Sequence, residues 1–252
     1  MHRGLPVILL LLCWGWGSAV QGDGTGSLDV EGVDHYTLAL TWHPGFCATQ
    51  GQSRDECRDP DESSAEGFVL HGLWPSLPAR LAERGIDRRR WWQDGCFIED
   101  SRPDGGFCAH PAPALPDALS NDLADAMPGR ESCLDHYQYA KHAACLSLPE
   151  EAYFARAVEL LARFNDSAFV DFVVINRGSD VAINDLIAVF ESSFGEGTGQ
   201  ALHLACRGRG NRILSEIRIG IDAERLDAFP ATESLVPLRP GECAPRVRIA
   251  SM

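Results

Sequence analysis

Nine cysteines constrain this chain more than any other feature: Cys13, Cys47, Cys57, Cys96, Cys108, Cys133, Cys145, Cys206 and Cys243. What they do depends on compartment, and the first 22 residues bear on that. Arg3 precedes the apolar run V-I-L-L-L-L-C-W-G-W-G, which passes into Gly17-Ser18-Ala19. A positive start, a short apolar middle and a small-residue exit predict a secretory signal peptide over residues 1–22. The run is too short to span a bilayer comfortably, and no later segment approaches the needed length. A lipid anchor on Cys13 is disfavoured by Leu12, which stands where a small residue is wanted. Cys13 therefore leaves with the signal, and eight cysteines remain in an exported chain, periplasmic or extracellular. An even number in an oxidising compartment predicts four disulfides. Eight cysteines permit 105 pairings, and spacing does not choose among them. A structural metal site is the rival reading, but no C-x-x-C pair is present.

No repeat, low-complexity block or long linker divides the rest, so one domain over residues 23–252 is expected. Apolar residues make up 45%, which is ordinary for a globular core. The net charge of −14 excludes binding of polyanions by bulk attraction. D-H-Y-T-L-A-L-T-W over 34–42 reads as a strand, and G-F-V-L-H-G-L-W-P over 67–75 as a short buried one ended by Pro75. Residues 47–64 read as a stapled loop, 78–85 as one or two helical turns, and 95–116 as loop. Ser132, with Asp135 three residues on, predicts a capped helix over 133–145. Pro149 suits the first turn of a second helix, with Phe154, Ala157, Leu161 and Phe164 on its apolar face. A third helix is expected near 184–194. Ile217, Ile219 and Ile221 alternate as in a half-buried strand, and 246–249 repeats the pattern. Strands at both ends with helices between them predict an α+β fold.

The stretch L-D-H-Y-Q-Y-A-K-H-A-A-C (134–145) is dense in protonatable groups. Helical spacing puts Tyr137, Gln138, Lys141 and His142 on one face and turns His136 away from it. Such a face is usually just solvated, yet this one joins an imidazole, an ammonium, a phenol and an amide. His71 ends the apolar run F-V-L and opens the turn G-L-W-P-S, where a histidine can project into a cleft. The alternative is a hydrogen-bonded core histidine. With His142 and Lys141, it suggests two imidazoles and an ammonium converging on an anion. A neutral imidazole takes a proton from a hydroxyl, a charged one gives a proton to the leaving oxygen, and the ammonium steadies phosphoryl charge. If the hydroxyl is the 2′-OH of RNA, no metal is needed and DNA does not react.

F-V-L-H-G-L-W-P-S resembles the first signature of the ribonuclease T2 family, and Y-Q-Y-A-K-H-A-A-C its second, H-E-W-x-K-H-G-T-C. L-A-L-T-W-H-P-G-F-C, D-E-C-R and D-R-R-R-W extend the likeness toward its enterobacterial periplasmic branch, from about Tyr36 to Ile249. The resemblance implies an α+β fold with a central antiparallel sheet and surrounding helices. It also implies metal-independent cleavage of single-stranded RNA through a 2′,3′-cyclic phosphate to 3′-phosphate ends. By motif position His142 is the general base, His71 the acid and Lys141 the electrostatic stabiliser. Trp74 falls where the family packs an aromatic near the base, though a core tryptophan anchoring the turn is as good a reading. Family order also implies Cys47–Cys57, Cys96–Cys145, Cys108–Cys133 and Cys206–Cys243.

Three positions depart from the pattern. Gln138 replaces the family glutamate and cannot carry charge, which predicts a slower enzyme and a gain from Gln138→Glu. Tyr137 replaces its first histidine and can still donate to a phosphate; Ala143 replaces a glycine at little cost. Arg88, Arg89 and Arg90 beside Trp91 and Trp92, and Arg207, Arg209 and Arg212, are candidate RNA contacts, but a solvated surface is the preferred reading of such runs. The expected protein is a monomer needing no cofactor. The rival readings are an RNA-binding protein that kept the fold without catalysis and a metal-dependent nuclease, which lacks an acidic cluster beside its histidines.

Overall fold

The computed structural model describes Met1 and residues 28–58 and 62–252. The expected signal segment and Cys13 lie outside the described residues. Among these, six strands form one sheet: β1 (His35–Thr41), β2 (Val69–Pro75), β3 (Asp180–Ala182), β4 (Leu202–Arg207), β5 (Ile213–Asp222) and β6 (Arg246–Arg248). Strands β2, β1, β5 and β4 pair antiparallel in that order. β6 joins β5 in parallel at the single pair Ile213–Arg248 and carries β3 antiparallel. Around the sheet lie helices α1 (His43–Thr49), α2 (Ala79–Glu83), α3 (Arg88–Asp94), α4 (Asp117–Ala126), α5 (Leu134–His142), α6 (Glu150–Asn165), α7 (Ala168–Ile175) and α8 (Ile183–Phe194). None of the described helices is long and apolar enough to cross a membrane.

Period-two alternation divides the sheet into a core face and a polar face. Tyr36, Leu38 and Leu40 of β1 stand opposite Ile221, Ile219 and Ile217 of β5, and all six are fully buried. Helix α6 covers this face with Phe154, Ala157, Leu160, Leu161 and Phe164. Its Tyr153 hydroxyl donates to the Leu73 carbonyl of β2 at 2.8 Å. The opposite face presents Thr37, Ala39 and Thr41, and their β5 partners Gly220, Arg218 and Glu216.

One irregularity matters for function. Ala39 pairs with Gly72, but Leu40 pairs with Leu70, so His71 is an extra residue on β2. Strict alternation from the core residue Leu73 sends position 71 back to the core. The bulge breaks that parity, keeping Leu70 inside and releasing His71 to the polar face beside Gly72.

Four disulfides staple the periphery: Cys47–Cys57, Cys96–Cys145, Cys108–Cys133 and Cys206–Cys243. Several local expectations are corrected. Cys47 lies in α1 rather than in a loop, and the helix expected over 133–145 ends at His142, followed by a 3₁₀ turn over Ala144–Leu146. Ser132 does not cap α5. Its hydroxyl donates to Glu56 Oε2 at 2.5 Å, and the cap position is Cys133, in the left-handed region at φ 57°. Pro149 caps α6 from outside its first turn. Strand β4 and helices α3, α4 and α7 have no counterpart in the sequence expectations.

The disulfide loops yield a stability prediction. Cys96–Cys145 spans 49 residues and Cys47–Cys57 spans 10. Chain-entropy scaling makes loss of the longer bridge costlier by about 1.4 kcal/mol. Denaturant unfolding of the two double-serine variants should show that gap, and equal losses would refute a loop-entropy account.

Candidate active site

The polar face of the sheet, the β2 turn and helix α5 meet around one indole. Trp74 lies on the same face as Thr37, its partner across β1. Its ring stacks on His142 of α5, centroids 5.3 Å apart and planes 19° apart. The same ring meets His71 edge-on at 5.1 Å. Two histidines separated by 71 positions in sequence thus flank one tryptophan.

A hydrogen bond fixes this arrangement. Trp74 Nε1 donates to Gln138 Oε1 at 2.6 Å, and both residues are buried. Gly72 makes room for it, because a Cβ there would stand 2.3 Å from Gln138 Oε1 and 2.5 Å from Trp74 Nε1. Gln138 therefore anchors the indole rather than lining open space. Gly95 approaches the other end of the helix as closely, since its Cβ would stand 2.2 Å from the Lys141 carbonyl oxygen. Beside it, Cys96–Cys145 ties the segment after α3 to the turn that follows α5.

The expected single polar patch on α5 divides in two. Gln138 and His142 turn inward to Trp74. Tyr137 faces sideways, stacked on Phe107 at 4.3 Å, with its hydroxyl accepting from Arg102 at 2.9 Å. Lys141 Nζ lies over the Tyr137 ring at 5.8 Å. His136 stands apart, its Nδ1 within 3.0 Å of the His110 carbonyl oxygen.

The two imidazoles occupy opposite electrostatic settings. His142 is 7% exposed, and its pKa falls well below the ordinary histidine value through burial, then through the charges of Lys141 and His71. His71 Nδ1 lies 2.6 Å from Glu216 Oε2, while the other oxygen of Glu216 accepts from Arg218 Nε at 2.6 Å. Burial alone would raise the Glu216 pKa. The charge and hydrogen bond of His71, followed by those of Arg218, instead hold it down at about 2. Lys141 is also lowered, by burial and then by Arg102, with Asp94 opposing.

Glu216 and Arg218 were not legible as site residues. Arg218 packs over Trp74 at 5.4 Å and over Trp92 at 5.0 Å, and the two indoles meet edge-to-face at 5.2 Å. The signal was present in I-L-S-E-I-R-I-G-I: if the isoleucines face the core, the glutamate and arginine between them share the other face. Two clefts open on that face. One of about 220 Å³ is lined by His71, Glu216, His43, Phe46 and Phe107; the other, of about 860 Å³, by Arg88, Arg89, Trp92 and His203. Arg207 and Arg218 line both. The His/Cys group His43, Cys47 and Cys57 has metal-ligand spacing, but its two sulfurs are joined in a disulfide.

Residues 33–231 match the Ribonuclease T2 family. The chain is 36% identical over 225 residues to Ribonuclease I of Escherichia coli strain K12, covering 83% of both proteins. A ribonuclease of Aeromonas hydrophila is 28% identical over 166 residues, which is 66% of this chain and 60% of that protein. Among solved structures, the self-incompatibility associated SF11-RNase of Nicotiana alata aligns with a TM-score of 0.57 at 20% identity, covering 87% of this chain and 100% of that one. RNase NT, solved with 5′-AMP, gives 0.54 at 19% identity, covering 86% and 98%. These two likenesses concern the fold, whereas the family match and the E. coli relative concern descent. On that basis the chain belongs to the ribonuclease T2 family and is an endoribonuclease.

Proposed function

We propose that the enzyme cleaves single-stranded RNA by 2′-OH transphosphorylation, with His142 as general base and His71 as general acid. The observation that carries this reading is the opposed setting of the two imidazoles around Trp74. Burial beside Lys141 keeps His142 neutral, the form that accepts a proton. The Glu216 carboxylate, at a pKa of about 2, is ionised at any working pH and engages His71 at Nδ1, which leaves Nε2 to face the substrate. The buried imidazole beside an ammonium suits the base, and the imidazole oriented by a carboxylate suits the acid.

In the first step the 2′-oxygen attacks phosphorus, its proton passes to His142, and the P–O5′ bond breaks. His71 delivers a proton to the departing 5′-oxygen. Its Nδ1 is engaged by Glu216, so the proton leaves from Nε2. Lys141 stabilises charge on the phosphoryl oxygens. The products are a 2′,3′-cyclic phosphate and a free 5′-hydroxyl. Water then opens the ring with the two histidines exchanging roles, leaving a 3′-phosphate. DNA lacks the attacking hydroxyl and stays intact. Glu216 is a positioning residue, and so is Gln138, which holds Trp74 against His142. The four disulfides support action in an oxidising, exported compartment.

Purified protein given RNA in EDTA should leave cyclic-phosphate ends, and His71→Ala or His142→Ala should each lower kcat by about 10²–10⁴-fold. RNA left whole by the parent would favour a binding protein, and cleavage lost in EDTA would favour a metal enzyme.

Positions 216 and 138 give separate kinetic predictions. Glu216→Gln replaces the ionised carboxylate at His71 Nδ1 with an amide, so the acid is held less firmly and kcat should fall with KM little changed. Gln138→Glu keeps an acceptor for Trp74 and adds negative charge near the base, so the acidic limb should move to higher pH and turnover should rise. An unchanged kcat at position 216, or an unmoved acidic limb at position 138, would detach that residue from its imidazole.

A further inference from the structure

We propose that the 860 Å³ cleft is a binding track for the RNA segment on the 5′ side of the cleaved bond, holding its backbone phosphates by arginine. The proposal rests on the histidine roles assigned above. It concerns arginines that lie outside the two signature motifs.

Sequence places these cations far apart, and the fold brings them together. Arg88 and Arg89 come from α3, Arg207 from the end of β4, Arg218 from β5, and Arg239 from the segment before the last disulfide. That segment is pinned rather than trailing. The Arg239 carbonyl lies 2.7 Å from His203 Nδ1, and Cys206–Cys243 closes it onto β4. A Cβ on Gly241 would stand 1.7 Å from the Leu204 carbonyl oxygen, so the segment runs directly against the strand.

Charge argues against a merely solubilising face. The chain carries −14 overall with 36 acidic residues, yet Glu242 is the one carboxylate lining this cleft, against five arginines. Arg88, Arg89, Arg207 and Arg239 have no carboxylate within ion-pair distance among the described residues. Their neighbour Arg90 does: it pairs with Asp94 at 3.9 Å and does not line the cleft. The arginine run expected to be solvated thus splits, with two members committed to the cleft. Arg209 and Arg212 likewise fall outside its lining.

The cleft begins at Trp92, which is 47% exposed and touches Trp74. An exposed indole followed by unpaired guanidiniums is the composition of a single-strand path, where bases stack and phosphates meet cations. Direction follows from the roles of the histidines. The leaving 5′-oxygen belongs with His71, which lines the smaller cleft. His142 stacks on the face of Trp74, whose ring also meets Trp92, so we seat the nucleotide that offers its 2′-OH to His142 on the Trp92 side of the indole. Nucleotides upstream of it then enter the arginine cleft.

The test compares a dinucleoside monophosphate with the same substrate extended by three nucleotides on its 5′ side or on its 3′ side. In the parent, 5′ extension should raise kcat/KM about tenfold or more. The Arg88→Ala/Arg89→Ala/Arg239→Ala variant should lose that gain while cleaving the dinucleotide at the parent rate. Its salt dependence on the 5′-extended substrate should flatten by about two in log–log slope, at roughly 0.7 for each phosphate that is no longer neutralised. A gain that survives in the variant, or that vanishes equally for 3′ extension, overturns the proposal. Trp92 fluorescence titration with uncleavable 2′-deoxy versions of the same oligomers reads the track without chemistry. An inert parent that still prefers the 5′-extended oligomer by way of these arginines would sink the catalytic roles and leave the track standing. No preference in that titration would sink the track alone.

Discussion

The hydrogen bond from Trp74 Nε1 to Gln138 Oε1 fastens the sheet to the helix that carries His142. Helices and sheets pack through apolar contacts that tolerate small slides, whereas a buried donor aimed at one acceptor does not. With the indole fixed, His142 stacks on one face and His71 abuts its edge, so the separation of the two imidazoles is inherited from a tryptophan. This also explains why an amide can occupy position 138. Trp74 needs an oxygen acceptor there, and glutamine supplies one without placing a carboxylate near His142. The amide side chain still supplies no charge to His142, whose low pKa therefore comes from burial and Lys141.

Lysine is used once in the chain, at position 141, while arginine serves every other cationic role. The difference is physical. A guanidinium is planar and broad and holds its charge in any setting, which suits ion pairs and phosphate forks. An ammonium is compact and its pKa yields to burial, as that of Lys141 does. At the one position next to the proposed base, a point charge depresses the imidazole pKa, and in the proposed mechanism it also meets a phosphoryl oxygen. Arg218 illustrates the opposite use, clamping Glu216 with one edge while its plane covers two indoles.

Much of the fold was legible because alternation and helical spacing are local. Strand β1, strand β5 and the apolar face of α6 follow directly from Leu38, Ile219 and Phe164 with their neighbours. The two histidines were legible because each sits in a distinctive short motif. What was not legible depended on partners far away in sequence. Glu216 matters because a bulge at His71 turns an imidazole toward it, and a one-residue register shift has no signature in composition. Strand β4 is a different case: its partner β5 is the next strand, across the Gly208–Asn211 turn, but its six residues are too few and too weakly alternating to give a signal. The Ser132 cap failed, like Glu216, through distance: Glu56, seventy-six positions away, takes the hydroxyl that local rules assign to the helix. The polar face of α5 was read as one patch because helical spacing gives angles, not the walls that each side chain meets.

An acidic enzyme acting on a polyanion poses an electrostatic problem that the fold solves by segregation. Beyond about a Debye length, near 8 Å at physiological salt, surface charges are largely screened, so the net −14 does not govern what a phosphate meets inside a cleft. What governs it is which cations remain unneutralised at close range. Arg130 is bound to Asp135, and Arg156 to Glu159 and Asp227, while Arg80 and Arg84 share Glu99; these hold structure. Arg88, Arg89, Arg207 and Arg239 have no such partners among the described residues, so their charge is available to a ligand. A product with fewer phosphates in the cleft loses this local attraction first. Segregated charge of this kind gives affinity that depends on occupancy of the track, a property that a uniformly basic surface lacks.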